Sequence, residues 1–166
     1  MASTYEPIAT TVISGSPTSY TFSSIPQTFT DLVLIFNGKS NASGSSANSM
    51  RTTVNGSASS LYSETVLYGD GATAGSARVS NSTYWNLFDI AQNSVTGMGI
   101  ASFMNYSNST TYKTVISRTS IAAVETMTGV FLRRDTAAIT SITLTRDGVQ
   151  TLSNGSIFTL YGIAAA

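Results

Sequence analysis

Eight side chains in this sequence could exchange protons near neutrality: Glu6, Asp31, Glu64, Asp70, Asp89, Glu125, Asp135 and Asp147. Two carboxyls flanking a glycosidic bond are the minimum that sugar hydrolysis requires, so that chemistry is formally open. Other common routes are closed. The chain has no histidine, which removes the usual general base, the histidine-based triads and most zinc and iron sites. It has no cysteine, which removes thiol nucleophiles, thiolate ligands and disulfides. No nucleophile elbow, phosphate loop or dinucleotide fingerprint occurs. The eight carboxylates are scattered, and several adjoin turn residues, so they read as caps, turn formers and solvated acids. The chain is expected to have no catalytic residue, no metal site and no cofactor.

Binding residues are the alternative. Tyr68-Gly-Asp-Gly71 places a single Asp between glycines, whereas calcium loops supply several oxygen ligands; the segment reads as a turn. Arg133-Arg134-Asp135 is the densest charge cluster and follows the apolar run Val130-Phe-Leu132. It reads as a solvated ion pair at a strand end, with contact to another subunit as the sharper reading. Tyr5, Tyr62, Tyr68, Tyr84, Tyr106 and Tyr112 fall at strand ends or beside loops. Tyrosine can bury its ring and keep its hydroxyl wet, so these could stack sugars or anchor a protein interface. Trp85 is expected in the core. Asn-x-Ser/Thr sequons begin at Asn41, Asn55, Asn81, Asn105, Asn108 and Asn154. With 27 Ser and 25 Thr in the chain, such matches arise by chance and are not read as glycosylation sites.

The elements that must hold these residues are strands. Alternation of apolar and polar residues recurs throughout: Ser19 to Ser23, Tyr84 to Ile90 with Trp85 and Leu87 opposite Phe88 and Ile90, Met98 to Tyr106, Tyr112 to Arg118, Gly129 to Arg133, Ala138 to Arg146 and Ser156 to Ile163. Thr30 to Asn37 contains a continuous apolar stretch, the mark of a central strand covered on both faces. Asn55-Gly56, Asp147-Gly148 and Asn154-Gly155 are hairpin-turn pairs, and Asn105 to Thr110 links two arms of a hairpin. Ser120 to Met127 could form two helical turns but is short and lacks a stop signal. Gly38 to Ser49 and Gly69 to Ser82 are Gly/Ser/Ala/Asn-rich and read as surface loops. The predicted architecture is all-β: an antiparallel sandwich of jelly-roll type with eight to ten strands.

Composition bounds the partners. Charged residues make up 10% of the chain, against about 25% in typical domains, and they cancel to zero net charge. Such a surface has no electrostatic footprint for a phosphate backbone or an anionic bilayer, so neither nucleic acid nor membrane is an expected partner. Hydroxyls and amides carry the polarity instead. The longest apolar run, Leu32 to Phe36, is far shorter than the ~20 residues of a membrane-spanning helix. The first residues lack the basic and apolar regions of a signal peptide. The chain divides into an extended N-terminal arm, residues 1–7, shaped by the restriction that Pro7 places on Glu6, and a single sandwich domain, residues 8–166.

Three blocks carry a resemblance: Tyr20 to Ile35 (YTFSSIPQTFTDLVLI), Asn105 to Val115 (NYSNSTTYKTV), and Ala138 to Leu144 together with Phe158 to Ile163. They resemble small β-rich structural proteins of tailed phages, cyanophages among them. The resemblance implies a virion component. A capsid decoration (cement) protein is the favoured form: a homotrimer on the outer capsid surface that binds the major capsid protein and clamps neighbouring capsomers. A tail or tail-fibre component and a carbohydrate-binding module that meets a surface glycan are the alternatives. Contact residues are expected at Tyr5, Glu6 and Pro7 of the arm, at Tyr106 and Tyr112, and at Arg133 and Arg134.

Overall fold

A computed structural model describes residues 4–43, 47–92, 95–146 and 150–164. Met1 to Ser3 of the expected arm and the Asp147-Gly148 pair lie outside the described residues. Among those described there is no helix and there are twelve strands: β1 (Tyr5–Val12), β2 (Ser19–Phe22), β3 (Asp31–Gly38), β4 (Ala47–Val54), β5 (Tyr62–Gly69), β6 (Ala74–Ser82), β7 (Trp85–Ala91), β8 (Gly97–Met104), β9 (Lys113–Ile121), β10 (Glu125–Arg133), β11 (Ile142–Arg146) and β12 (Ile157–Ile163). The expected sandwich is present, with more strands than the eight to ten anticipated.

The strand order accounts for the excess. One sheet runs β1-β12-β3-β8-β9-β10-β5-β6 and the other β2-β11-β4-β7, and every named pair is antiparallel. The pairs β1·β12, β2·β11, β3·β8 and β4·β7 are those of one long hairpin rolled over on itself, which is a jelly roll. The remaining four strands, β9, β10, β5 and β6, widen one sheet beyond the other. The large sheet therefore overhangs the small one past the β7 edge.

The Asn-Gly pairs make turns but not the expected hairpins. Asn55 and Gly56 both have positive φ, 55° and 63°, and Ser57 N–H donates to Val54 O at 3.1 Å, yet β4 and β5 lie in different sheets, as do β11 and β12 on either side of Asn154-Gly155, so both pairs turn the chain from one sheet to the other. Asn108 Oδ1 accepts from the backbone N–H of Thr110 and of Thr111 at 2.7 and 2.9 Å, ordering the β8–β9 link. The segment expected as two helical turns is instead the end of β9, a four-residue turn closed by Val124 N–H to Ile121 O, and the start of β10.

The core lies between the sheets and is built on aromatic contacts. Phe36 stacks on Phe158 and Phe88 at 5.1 and 6.0 Å, and Tyr62 meets Trp85 edge-on at 4.9 Å. Trp85 is fully buried, and its Nε1–H donates to Leu132 O at 3.2 Å. Its expected opposition to Phe88 and Ile90 is corrected: Trp85, Leu87, Phe88 and Ile90 are all fully buried. A bulge lies opposite Met50–Arg51, with Phe88 facing Met50 and Asn86 facing Arg51, so Leu87 is the extra residue that resets the alternation.

Two loop expectations are also corrected. Gly69 to Ser82 contains β6, an edge strand paired to β5 along its length. Gly38 to Ser49 contains the start of β4, and isolated bridges tie Lys39 to Ala91 and Ser40 to Leu152.

Candidate functional site

The chemistry-bearing residues separate into those absorbed by the fold, a polar cleft, and an apolar face. Asp70 is absorbed: its Oδ1 accepts from Ala72 and Thr73 N–H at 2.9 and 2.6 Å, and Oδ2 accepts from Thr73 Oγ1. These bonds lower its pKa and make Tyr68-Gly-Asp-Gly71 a turn, as read from the sequence. Asp31 Oδ1 accepts from Asn105 N–H at 2.6 Å. Among the described residues no group of acids is arranged to hold a metal ion.

Two expected contact residues prove internal. Tyr106 is fully buried, with its hydroxyl donating to Pro26 O. Arg133 is also buried and not a solvated ion pair. Its guanidinium donates to Val54 O and Tyr62 Oη, both at 2.8 Å, and to Asp135 Oδ2 at 2.6 Å. Lys113 lies in the same region, its Nζ donating to Thr111 O and Thr136 O at 2.7 and 2.9 Å, and burial lowers its pKa. This cluster locks the loops at one end of the sandwich. Sequence reasoning missed it because three charges beside an apolar run look alike whether the run ends in solvent or beneath a loop.

The other expected contacts are exposed. Tyr5 (55% exposed) packs edge-on against Tyr161, and Tyr112 is 58% exposed. Glu6, Pro7 and Arg134 are exposed as well, with Arg134 donating to Ser60 O and Asn81 Oδ1. Tyr5, Glu6 and Pro7 are not a free arm: they pair with Ile163, Gly162 and Tyr161 of β12. Strand register puts Tyr5, Tyr112 and Arg134 at the same end of the large sheet. From β1 to β10 is five strand spacings, about 24 Å, so they form a spread row and not one site.

The cleft lies where the overhang meets β7. Its volume is about 360 Å³, and its walls include Asn48 and Ser49 of β4, Asn86 and Asp89 of β7, Glu64 and Tyr68 of β5, and Glu125 of β10. Carboxylates far apart in sequence are gathered here. Glu64 accepts from Asn86 N–H and Asn86 Nδ2, both at 2.7 Å, and thereby caps the free edge of the small sheet. Burial raises its pKa against the lowering effect of those bonds. Glu125 is pushed up to about 7, by burial first, then by its hydrogen bond to Asp89 and the negative charges of Asp89 and Asp70. Asp89 also accepts from Ser49 Oγ at 3.2 Å.

The apolar face is the outer side of the large sheet. On β8 the small residues Gly97, Gly99 and Ala101 point into the core, while Met98, Ile100 and Met104 point out, Met98 being 57% exposed. Ile116 of β9, Val130 of β10 (53%) and Leu67 of β5 (58%) face the same way, with Arg118 and Thr128 lying between Ile100 and Leu67 in register. No second layer of the described chain covers it. Sequence reading recognised the alternation on β8 but not which side faces inward.

No family model and no curated protein matches this chain.

Proposed function

We propose that this chain is a non-enzymatic structural protein of a tailed-phage virion, a capsid decoration protein that lays the outer face of its large sheet on the major capsid protein. The observation that carries the reading is that apolar face. Isolated exposed apolar side chains are ordinary, whereas apolar residues grouped on neighbouring strands, Ile35 with Met98 and Ile100 and Ile116 with Val130, mark an interaction surface, here with Arg118 and several hydroxyls set among them. The whole outer face, six strands at about 4.8 Å and eight residues at about 3.3 Å, spans roughly 750 Å², polar positions included, close to the ~800 Å² that one partner contributes to a standard interface. The continuous apolar run Leu32 to Phe36 fits the same reading, because such runs belong to strands covered on both sides, and here Ile35 is only half-buried. Charge is nearly absent, so attachment rests on apolar area repeated over many copies and is insensitive to salt.

The acids are engaged with amides, backbone and one another, which favours a binding role over a catalytic one. Self-association into trimers is part of the proposal, with exposed Tyr5, Tyr112 and Arg134 at one end of the large sheet as its contacts.

Copy number in purified virions, quantified by mass spectrometry against the major capsid protein, tests the reading. A ratio within a few-fold of one is expected. A few copies per particle would replace it with a tail or fibre role.

A further inference from the structure

We propose that the cleft between the overhanging strands and β7 binds a neutral carbohydrate of one or two rings, stacked on Tyr68. The site does not depend on the capsid reading. It opens on the opposite side of the large sheet from the apolar face, so both can be occupied together.

The platform is specific. A Cβ built on Gly75 would lie 2.7 Å from Cζ and Oη of Tyr68, so only a glycine on β6 lets the ring lie down on the neighbouring strand. The ring is 41% exposed at the cleft, with Val66, Ala77 and Val79 beside it. A flat aromatic face with apolar surroundings suits the C–H side of a sugar ring, the positive edge of the sugar meeting the negative face of the ring. On the other sheet stand amide, hydroxyl and carboxylate groups, Asn48, Ser49, Asn86 and Asp89, and Glu125 lies on β10 next to the Tyr68 strand. Paired planar acceptors and donors are what adjacent sugar hydroxyls require. The volume of about 360 Å³ lies at the small end of the ~300–1,000 Å³ typical of ligand pockets.

Competing occupants fit less well. No cationic side chain lines the cleft, so phosphates, uronic acids and sialic acids find no counter-charge there. A cation lacks a ligand set, because among the described residues no group of three or more acids is arranged to hold one. A peptide strand adding to the β7 edge would have to displace Glu64 from Asn86 N–H. Sugar hydroxyls both donate and accept, and need no counter-charge.

Saturation-transfer NMR on the full chain with lactose, cellobiose and mannobiose, with N-acetylneuraminic acid as the anionic comparison, tests the assignment. Saturable transfer from at least one neutral disaccharide is expected, and none from the acid. Tyr68→Ala should weaken binding at least tenfold, while Tyr68→Phe, which keeps the ring, should stay within about threefold of the parent. Silence from all three neutral sugars overturns the proposal. So does equal binding of the acid, or binding by Tyr68→Ala at the parent's affinity.

Discussion

Arg133 and Arg134 are adjacent in sequence and opposite in role. The first is buried and donates to a backbone carbonyl, a tyrosine hydroxyl and a carboxylate; the second is exposed. Hydrogen bonds from charged groups to buried partners are each worth about 1.5–3 kcal/mol, and exposed contacts about 0–1 kcal/mol. Arg133→Met is therefore expected to lower stability by about 2–4 kcal/mol in urea denaturation, and Arg134→Met by less than about 1 kcal/mol. Glu125 makes a second residue-scale prediction. Its folded pKa of about 7 lies above the ordinary glutamate value of 4.5, so between these values the folded chain holds a proton that the unfolded chain has released. Stability then falls as pH rises through that window. Thermal midpoints should decline from pH 5 to pH 8, and Glu125→Gln should flatten the decline; an unchanged slope in that variant would place the titration elsewhere.

At the scale of elements, β7 and β8 interlock closely. A Cβ on Gly99 would come within 2.6 Å of the Phe88 ring, so β8 is small at that inward position because β7 supplies the bulk. Gly99→Val should cost about 1–3 kcal/mol by overpacking, read as a lowered denaturant midpoint with the slope unchanged. The same interlock explains why Met98 and Ile100, on either side of Gly99, point outward. It also separates what was readable from what was not. Strands β3, β8, β9, β10 and β12 were visible in sequence because each alternates or runs apolar against a packed side. Strand β6 was not, because nearly every residue in it is exposed, and a strand with no buried side carries no alternation. The β7 bulge was hidden too, since it depends on the register of β4.

For the whole molecule, the two faces of the large sheet have distinct uses. Met98→Asp with Ile116→Asp puts charge on the outer face without touching the core. Folding should be preserved, with thermal midpoints within a few degrees of the parent, and attachment to capsids lacking the protein should be lost in co-sedimentation. Retained attachment would assign the contact to another surface. Class and architecture were legible from sequence alone: hydroxyl-rich alternation, Asn-Gly turns and the absence of helical period permit little but stacked antiparallel sheets. The absence of histidine and cysteine likewise narrowed the chemistry before any coordinate was known. Tertiary structure alone decided which side of each strand faces inward, because inside and outside are defined by the opposing sheet. It also decided that Tyr106 and Arg133 are internal while Tyr5 and Tyr112 are not. The cleft exists only because one sheet is twice as wide as the other, and its acids stand 25 to 61 positions apart along the chain, a proximity created by strand pairing and invisible to any local pattern.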